Sequence, residues 1–203
     1  MKAWKICKIF ICAFLTSNVL AASGFLPVAN IIKIKGEVKI NKEIAQVGSE
    51  ITEGMNIKIK DPRDYVDIKY QNGHIVRLMG ATIIIKELNP KSSLISLVKG
   101  TIFNLVKSLT PEEKFVVRTR RASFGVRGTQ FFISESASES YLCVCDGIVK
   151  ATNVLTNKAL DVNKDHDLTI SKNKKFEVTP ASNMMIKTGN DVFNELSKTK
   201  ETK

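Results

Sequence analysis

Apolar and polar residues alternate along most of residues 30–178, which is the pattern of β-strands with one face in water. Ile57 and Ile59, for example, are separated by a lysine. Residues 83–85 and 94–98 are more continuously apolar, so we expect them to lie in the middle of the fold, covered on both faces. The pattern predicts one all-β domain made of many short strands.

Turn signals divide this region into strands. Asn72-Gly73, between YVDIKY and HIVRLM, is the strongest hairpin signal, because both central residues of the favoured turn need a positive φ. A second pattern of five residues occurs at residues 34–38, 98–102 and 145–149. In each copy an apolar residue is followed by Lys or Asp, then by Gly, by a variable residue and by a second apolar residue. The spacing is too irregular for a strict solenoid. It predicts a sheet that folds over on itself, either as a β-roll or short solenoid-like arrangement or as a sandwich.

The strand pattern fades over residues 179–203, which we predict to be a C-terminal extension. Asn190 or Asp191 is expected to cap a short helix over DVFNELSK, with apolar residues on one face. The last residues, SKTKETK, are predicted to be a disordered basic tail.

Residues 1–22 have the features of a cleavable secretory signal peptide. Lysines precede an apolar run over residues 9–15, and Ala21 and Ala22 provide small residues for cleavage. The run is far shorter than the about 18 residues that span a bilayer, which makes a retained anchor the less favoured alternative. We expect a periplasmic, secreted or cell-surface protein with no transmembrane helix after cleavage.

The chain is basic, with a formal net charge of +11. The predicted signal contributes three of the 31 basic residues and none of the 20 acidic ones, so the mature chain keeps an excess of +8. This excess favours anionic surfaces, and a basic polyanion-binding protein is one alternative, although lysines scattered over solvent faces explain most of it. Nucleic acid is not an expected partner, because of the export signal and because few aromatic residues stand beside the arginines.

Signal cleavage leaves two cysteines, Cys143 and Cys145, which point to the same face of the strand YLCVC. A disulfide between them would strain the backbone. Two buried thiols are therefore favoured, with a strained redox pair or half of a metal site as alternatives. Only His74 and His166 offer imidazole ligands, and we predict no metal and no cofactor.

Catalytic motifs are absent from the sequence, which contains no G-x-S-x-G, no H-E-x-x-H and no phosphate-binding Walker loop. Ser123 would need a base, and neither histidine lies near it in sequence. The carboxylate pairs Glu112-Glu113 and Asp61/Asp64 fall in or near predicted loops. We predict that the protein is not an enzyme, with a hydrolase acting on envelope polymers as the alternative.

The most specific stretch is KFVVRTRRASFGVRGTQFFI, residues 114–133. Gly125 and Gly128 are predicted to bracket a turn that directs Arg127. Because a buried guanidinium requires partners, we expect Arg127 to satisfy turn carbonyls or to pair with an acid inside the fold. Binding of an anion by Arg127 is the alternative.

Arg118, Arg120 and Arg121 form a second group in this stretch. If the strand continues, Arg118 and Arg120 share a face and Arg121 lies on the other. Solvated side chains are the default expectation. The functional hypothesis is a cationic site for a carboxylate, a phosphate or an acidic glycan, because guanidinium groups bind such anions through paired hydrogen bonds. Neutralising all three is expected to weaken association without unfolding the protein.

The run TRRASFGVRGTQFFI, with Gly125, Val126, Arg127, Gly128 and Thr129 at its centre, resembles the signature of the FecR family of bacterial envelope domains. The blocks IKGEVKI, VGSEITEGMNIKI, YQNGHIVRLMGATIII, LVKGTIFNLV and CDGIVKA agree with the family in order. The resemblance covers most of the mature chain.

The resemblance implies an exported, all-β module that binds a protein or a polymer, such as a glycan, of the cell envelope and takes part in sensing, signalling or assembly. Family members include periplasmic portions of regulators that relay the state of an outer-membrane iron-siderophore receptor to a sigma factor. This chain has a predicted signal peptide where those regulators carry a sigma-binding segment, so direct sigma-factor regulation is not expected. Strand edges and basic corner loops are the expected contact surfaces.

Overall fold

The computed structural model describes residues 28–199. The predicted signal peptide and the last four residues of the predicted basic tail lie outside the described residues. Within the described part, no helix is both long and apolar enough to cross a membrane. The secondary-structure elements are β1 (Ala29–Lys35), β2 (Val38–Ile40), β3 (Glu43–Ile44), β4 (Glu50–Ile51), β5 (Asn56–Ile59), β6 (Tyr65–Tyr70), β7 (Ile75–Asn89), β8 (Ser92–Leu105), β9 (Lys114–Arg118), β10 (Ala122–Val126), β11 (Gln130–Glu135), β12 (Glu139–Asp146), β13 (Ile148–Asn153), β14 (Ala159–Asn163), β15 (His166–Ser171), β16 (Val178–Pro180) and α1 (Asn183–Lys198).

All the described strands belong to one open sheet, and the long strands β7 and β8 form a hairpin that serves both of its halves. Residues 92–96 of β8 pair in parallel with β9, whereas residues 100–105 pair antiparallel with β11. The partners of β7 divide in the same way, with β6 beside its first half and β5 beside its second. The fold is therefore all-β with one C-terminal helix, as predicted.

The sheet bends where two glycines meet in the β7–β8 hairpin. Gly80 has a φ of +51° and Gly100 a φ of +89°, and the pairing of the two strands shifts register just beyond Met79. A Cβ atom on Gly100 would lie 2.4 Å from the carbonyl oxygen of Gly80 and 2.5 Å from the Cα atom of Ala81. Only glycine fits at this position, both in conformation and in space.

The bend divides the sheet into two layers that pack face to face. The first layer contains β2, β3, β5, β9, β10, β13 and β14, and the second contains β1, β4, β6, β11, β12, β15 and β16, with one half of the β7–β8 hairpin in each. Alternate residues of both layers meet in a single apolar core, for example Ile83 and Phe124 from the first layer and Ile68 and Phe131 from the second. The predicted period-two pattern and the folded-over sheet are confirmed.

One expectation about the central strands is wrong. Residues 83–85 and 94–98 are not covered on both faces, because only every second side chain points into the core. Ile84 and Leu94 are half-buried on the outer face of the first layer, and Val98 is 50% exposed.

The predicted glycine corners are present. Gly36, Gly100 and Gly147, one from each copy of the repeated pattern, all have φ between +81° and +89°. The Asn72-Gly73 hairpin joins β6 to β7, but only Gly73 has a positive φ. The N–H of Gly73 donates to the carbonyl of Tyr70 at 2.9 Å, so the loop is a turn followed by a left-handed glycine and not the two-residue turn that we expected.

The C-terminal helix is longer than predicted. It begins at Asn183, with Ser182 as its N-cap, so Asn190 and Asp191 are interior residues and not caps. Ser197 and Lys198, which fell in both the predicted helix and the predicted disordered tail, belong to the helix. Helix α1 covers the outer face of the second layer.

A second apolar cluster fills the space between α1 and the second layer. Phe193 and Leu196 of the helix pack there with residues of β8, β11 and β12. The cluster contains both remaining cysteines, which are buried and free. The helix approaches so closely that a Cβ atom on Gly189 would lie 2.4 Å from the sulfur of Cys145.

Charged groups also hold the helix to the sheet. Arg77 donates two hydrogen bonds, both 2.7 Å long, to the carboxylate of Asp67 directly across the β6–β7 pair. A third nitrogen of Arg77 donates to Glu195 of α1 at 2.6 Å, and Lys33 donates to the same carboxylate at 2.8 Å. These hydrogen bonds, from Arg77 first and Lys33 second, lower the pKa of Glu195 to about 2. Glu195 therefore stays ionised at mildly acidic pH, and its contribution to stability is lost only as pH falls from about 4.5 towards 2.

We predict that Arg77→Ala lowers the free energy of unfolding by about 3–5 kcal/mol, because it leaves a buried carboxylate without its partner. Urea denaturation followed by circular dichroism measures this loss. Arg63→Ala is the matched control, because the Arg63 side chain is 84% exposed in its pair with Asp61, and an exposed pair of this kind contributes little to stability. Equal losses in the two variants would contradict the role of Arg77.

Candidate partner-binding surface

The hairpin of β9 and β10 brings together two of the three arginines of the hypothesised cationic site. Arg120 and Arg121 lie 3.6 and 2.6 Å from the same carboxylate oxygen of Glu135, and no such contact forms with Arg118 among the described residues. The turn of the hairpin comprises residues 119–121, where the N–H of Thr119 donates to the carbonyl of Ala122 at 2.8 Å. Arg118 ends β9 and is exposed on the outer face of the first layer. The side chain of Arg120 is 64% exposed, whereas that of Arg121 is only 15% exposed. The strand does not continue through Arg120, so the expected shared face of Arg118 and Arg120 does not form.

Arg121 is bound within the fold, which contradicts the expectation of a solvated side chain. It donates to the carboxylate of Glu135 at 2.6 Å and to the carbonyl of Ala137 at 2.6 Å. The Glu135 side chain is completely buried and also accepts a hydrogen bond from the hydroxyl of Ser140. Because Arg121 follows β9 and Glu135 ends β11, this ion pair joins the two layers.

Arg127 was expected to bind turn carbonyls or an acidic side chain inside the fold, and this expectation is wrong. Arg127 is exposed, and among the described residues it makes no side-chain hydrogen bond and no ion pair. Its direction follows from the strand before it, because Gly125 lies inside β10 and not at a turn. Gly128, with a φ of +71°, does form the turn, and a Cβ atom there would lie 2.9 Å from the Cα atom of Ser108.

The remaining motif residues support the turn from inside. Val126 is half-buried against the main core. Thr129 is 2% exposed, and its hydroxyl oxygen has no hydrogen-bond partner within the described residues. The stretch around residues 125–129 therefore sends its apolar side chains inward and its one charged side chain outward.

An open groove lies where the side chain of Gly125 is missing. Gly125 pairs with Val116 of β9 on one side and with Lys150 of β13 on the other, and nothing lies within 4 Å of its absent Cβ atom. The groove has a volume of about 670 Å³. Val116 and Ile148 provide its apolar floor, Arg127 and Lys150 are basic groups at its rim, and its acidic residues are Glu113 and Asp161.

Sequence reasoning did not identify the neighbours of Gly125. Val116, Ile148 and Lys150 were treated as ordinary strand positions. Counting outward from the backbone hydrogen bond between Thr119 and Ala122 pairs Gly125 with Val116, so this half of the groove depends on the register of the β9–β10 hairpin. The other half depends on β13, which is distant in sequence.

The groups considered for catalysis do not come together. Ser123 lies on β10 between Arg118 and Thr152. His74 is 3% exposed, its Nδ1 accepts the N–H of Lys107 at 3.2 Å, and burial lowers its pKa to about 4, so the imidazole is neutral near pH 7. His166 contacts the carbonyl of Lys164 at 2.8 Å. Neither histidine hydrogen-bonds to a serine or cysteine within residues 28–199.

Carboxylates of the two pairs that were considered for catalysis accept hydrogen bonds from residues close to them in sequence. Asp61 accepts two hydrogen bonds from the Arg63 side chain, at 3.0 and 2.8 Å, and Glu113 accepts the N–H of Thr110 at 2.8 Å. Among the described residues, no group of three or more His, Cys, Asp or Glu side chains is arranged to hold a metal ion.

Comparison with known proteins identifies one family model. Residues 60–150 match the model described as FecR protein. No curated protein gives a significant match to the chain.

Two crystal structures of proposed anti-sigma factors from Parabacteroides distasonis are similar in fold. One aligns over 65% of this chain and 62% of its own, with 17% identity and a TM-score of 0.55. The other aligns over 74% of this chain and 63% of its own, with 15% identity and a TM-score of 0.44. The aligned part of the chain thus spans less than two thirds of each of these proteins. At this identity the similarity shows the fold alone.

We predict that Arg121→Ala lowers the free energy of unfolding by about 3 kcal/mol, because the buried Glu135 carboxylate loses its closer charged partner and keeps only the exposed Arg120, 3.6 Å away. Arg118→Ala, in the same hairpin but exposed, is expected to change it by less than about 0.5 kcal/mol. Thermal and urea unfolding of the two variants tests the difference. Unchanged stability of Arg121→Ala would show that Glu135 does not depend on this pair.

Proposed function

We propose, from the match of residues 60–150 to the FecR family model, that the chain is an exported sensing or signalling domain of the FecR family that binds a partner protein of the bacterial envelope without catalysing a reaction. The export signal predicted in residues 1–22 supports the location. The fold shared with a proposed anti-sigma factor supports a regulatory task. Periplasmic, secreted and surface forms are all consistent with export.

The groove at Gly125 is the observation that carries this proposal. It combines an exposed guanidinium, that of Arg127, with Ile148, an aliphatic residue that is 51% exposed. Arginine beside apolar surface is typical of the residues that contribute most to protein interfaces. Exposing an aliphatic side chain and leaving a guanidinium without a protein partner brings no benefit to the isolated fold. Both features become favourable when a partner covers them.

The groove is also open along the sheet, which suits a protein segment better than a small substrate. Its floor is made of strand residues held by ladder hydrogen bonds on both sides, so its shape is set before binding. Preformed surfaces of this kind lose little conformational entropy on association.

We predict that cells of the native host export the tagged full chain and release a mature form cut after Ala21 or Ala22. Crosslinking of intact cells, followed by mass spectrometry, is expected to recover one reproducible partner protein. The double variant Arg127→Ala/Ile148→Ser should reduce that recovery about tenfold, the effect of losing one strong interface contact.

The matched control is Lys187→Ala/Met184→Ser, which removes one lysine and one exposed apolar group from helix α1. This control is expected to leave recovery unchanged. An uncleaved cytoplasmic chain would contradict export. Equal recovery with the groove variant and the control would contradict binding through the groove.

A further inference from the structure

The outer face of the first layer is strongly basic, and no described element covers it. Successive strands place positively charged side chains on this face at alternate positions, opposite to the core residues. The helix, by contrast, covers the outer face of the second layer. We call this surface the basic face, and its charged members are Lys39, Lys58, Lys86, Lys114, Arg118, Arg127 and Lys150.

Few acidic groups balance these charges. Among the described residues, Asp161 of β14 is directly opposite Lys150, Glu37 lies 3.2 Å from Lys39, and Glu87 of β7 is directly opposite Leu94 at the centre of the face. At the end of the face that contains the groove, the carboxylate of Glu113 accepts a hydrogen bond from the N–H of Thr110. The seven basic members named above therefore exceed the four acidic groups by three, and Lys58, Arg118 and Arg127 provide this excess.

A cluster of lysines lies at the end of the basic face that is far from the groove. Lys39 and Lys58 are directly opposite each other on β2 and β5, where like charges destabilise a strand pair. Lys42 and Lys60 line the same depression, which has a volume of about 580 Å³. Concentrated like charge of this kind works against the stability of the sheet unless an anion is bound.

The two-residue turn between β2 and β3 places Lys42 beside this cluster, and both Asn41, with a φ of +49°, and Lys42 are left-handed there, as such a turn requires. Lys42 has a φ of +81°, in the left-handed region, which is unfavourable for a residue with a side chain. The turn is held in this form by Asn41, whose N–H donates to the carbonyl of Asn56 and whose side-chain oxygen accepts the N–H of Asn56, both at 2.9 Å. A lysine is thus fixed over the depression at a position where glycine or asparagine would be more stable.

Aliphatic side chains lie between the charges on this face. Ile84 and Leu94 are half-buried at its centre, and Val116 and Ile148 are in the groove. The large aromatic side chains of the first layer, Phe115 and Phe124, point into the core instead. A surface of alternating basic and aliphatic groups complements a segment that alternates acidic and aliphatic residues.

We infer that the basic face binds an extended acidic segment of the partner protein, in which aspartate or glutamate alternates with aliphatic residues. This inference rests on the proposed function and names the chemistry of the partner. From β2 to β13 the face spans about 30 Å at a strand spacing of about 4.8 Å, so a segment of about ten extended residues would cover it. Such a segment would end in the groove at Arg127.

A charged polymer is the competing occupant, and the surface favours it less. Polyphosphate or an anionic glycan would use the lysines and arginines but would gain little from Ile84, Leu94 and Ile148. Sugar rings and bases also prefer aromatic platforms, and the described strands present none on this face. The aliphatic groups therefore distinguish the two occupants.

The test uses the mature chain and three fluorescent probes: a peptide of about ten residues that alternates Glu with Leu or Val, a polyglutamate peptide of equal length, and polyphosphate. Fluorescence anisotropy at about 50 mM and about 300 mM NaCl gives the affinities and their salt dependence. We expect the mixed peptide to bind about tenfold tighter than either other probe, and its binding to weaken with salt.

Charge reversal locates the site. Lys58→Glu/Arg118→Glu should weaken binding of the mixed peptide about tenfold, and it is expected to fold because the first change converts a like-charge pair into an opposite-charge pair. Lys164→Glu/Lys172→Glu, which makes the same change in net charge on loops outside the basic face, is the matched control and should have less than about a threefold effect.

The inference is overturned if the mixed peptide does not bind at low salt, if both charge reversals weaken binding equally, or if polyphosphate binds as tightly as the mixed peptide. The last result would assign the face to a charged polymer. Recovery of a groove-dependent partner from cells together with any of these results would leave the proposed function standing and reject only the acidic segment.

Discussion

The close approach of Gly80 and Gly100 is the constraint on which the rest of the structure depends. Both residues have positive φ, and the backbone of one strand occupies the space that a side chain on Gly100 would need. Two long strands can therefore bend together and continue into both layers. Without this bend the alternating apolar residues of the two halves would face water instead of each other.

The bend also gives the molecule two unlike outer faces. The outer face of the second layer is apolar under α1, and the buried Arg77 and Asp67 fix the helix there through Glu195. The outer face of the first layer has lysines and arginines separated by aliphatic residues. Because one face is closed by the chain itself, the other is the larger surface left for a partner.

More of the fold than of the candidate site could be predicted from the sequence. Period-two alternation and glycine corners predicted the strands and the folded-over sheet, because both signals are local. The Asp67–Arg77 pair could also be predicted, since each residue stands five positions from the hairpin turn at Asn72. The contact with the helix could not, because Glu195 is 118 residues from Arg77 in sequence. The start of α1 was missed for a similar reason: its first turns contain a glycine and no acidic residue, and packing against Cys145 stabilises them.

The outcomes for the arginines show why the site was harder to predict. Arg121 and Arg127 are close in sequence and alike in chemistry, yet one meets a buried carboxylate and the other meets solvent. The difference arises because β10 runs without interruption through Gly125, which sends Arg127 outward, and because β11 brings Glu135 to the turn before β10. Both facts depend on strand register across the sheet, which local sequence does not determine.

Site-specific photocrosslinking in the native host tests most directly whether the first layer is the contact surface. A photoreactive amino acid would replace Ser96 or Ser123, which are on the outer face of the first layer, or Met184, which is 73% exposed on α1. The account predicts that the first two positions crosslink to the same envelope protein and that Met184 does not. Crosslinks to a partner from Met184, with none from Ser96 or Ser123, would contradict it.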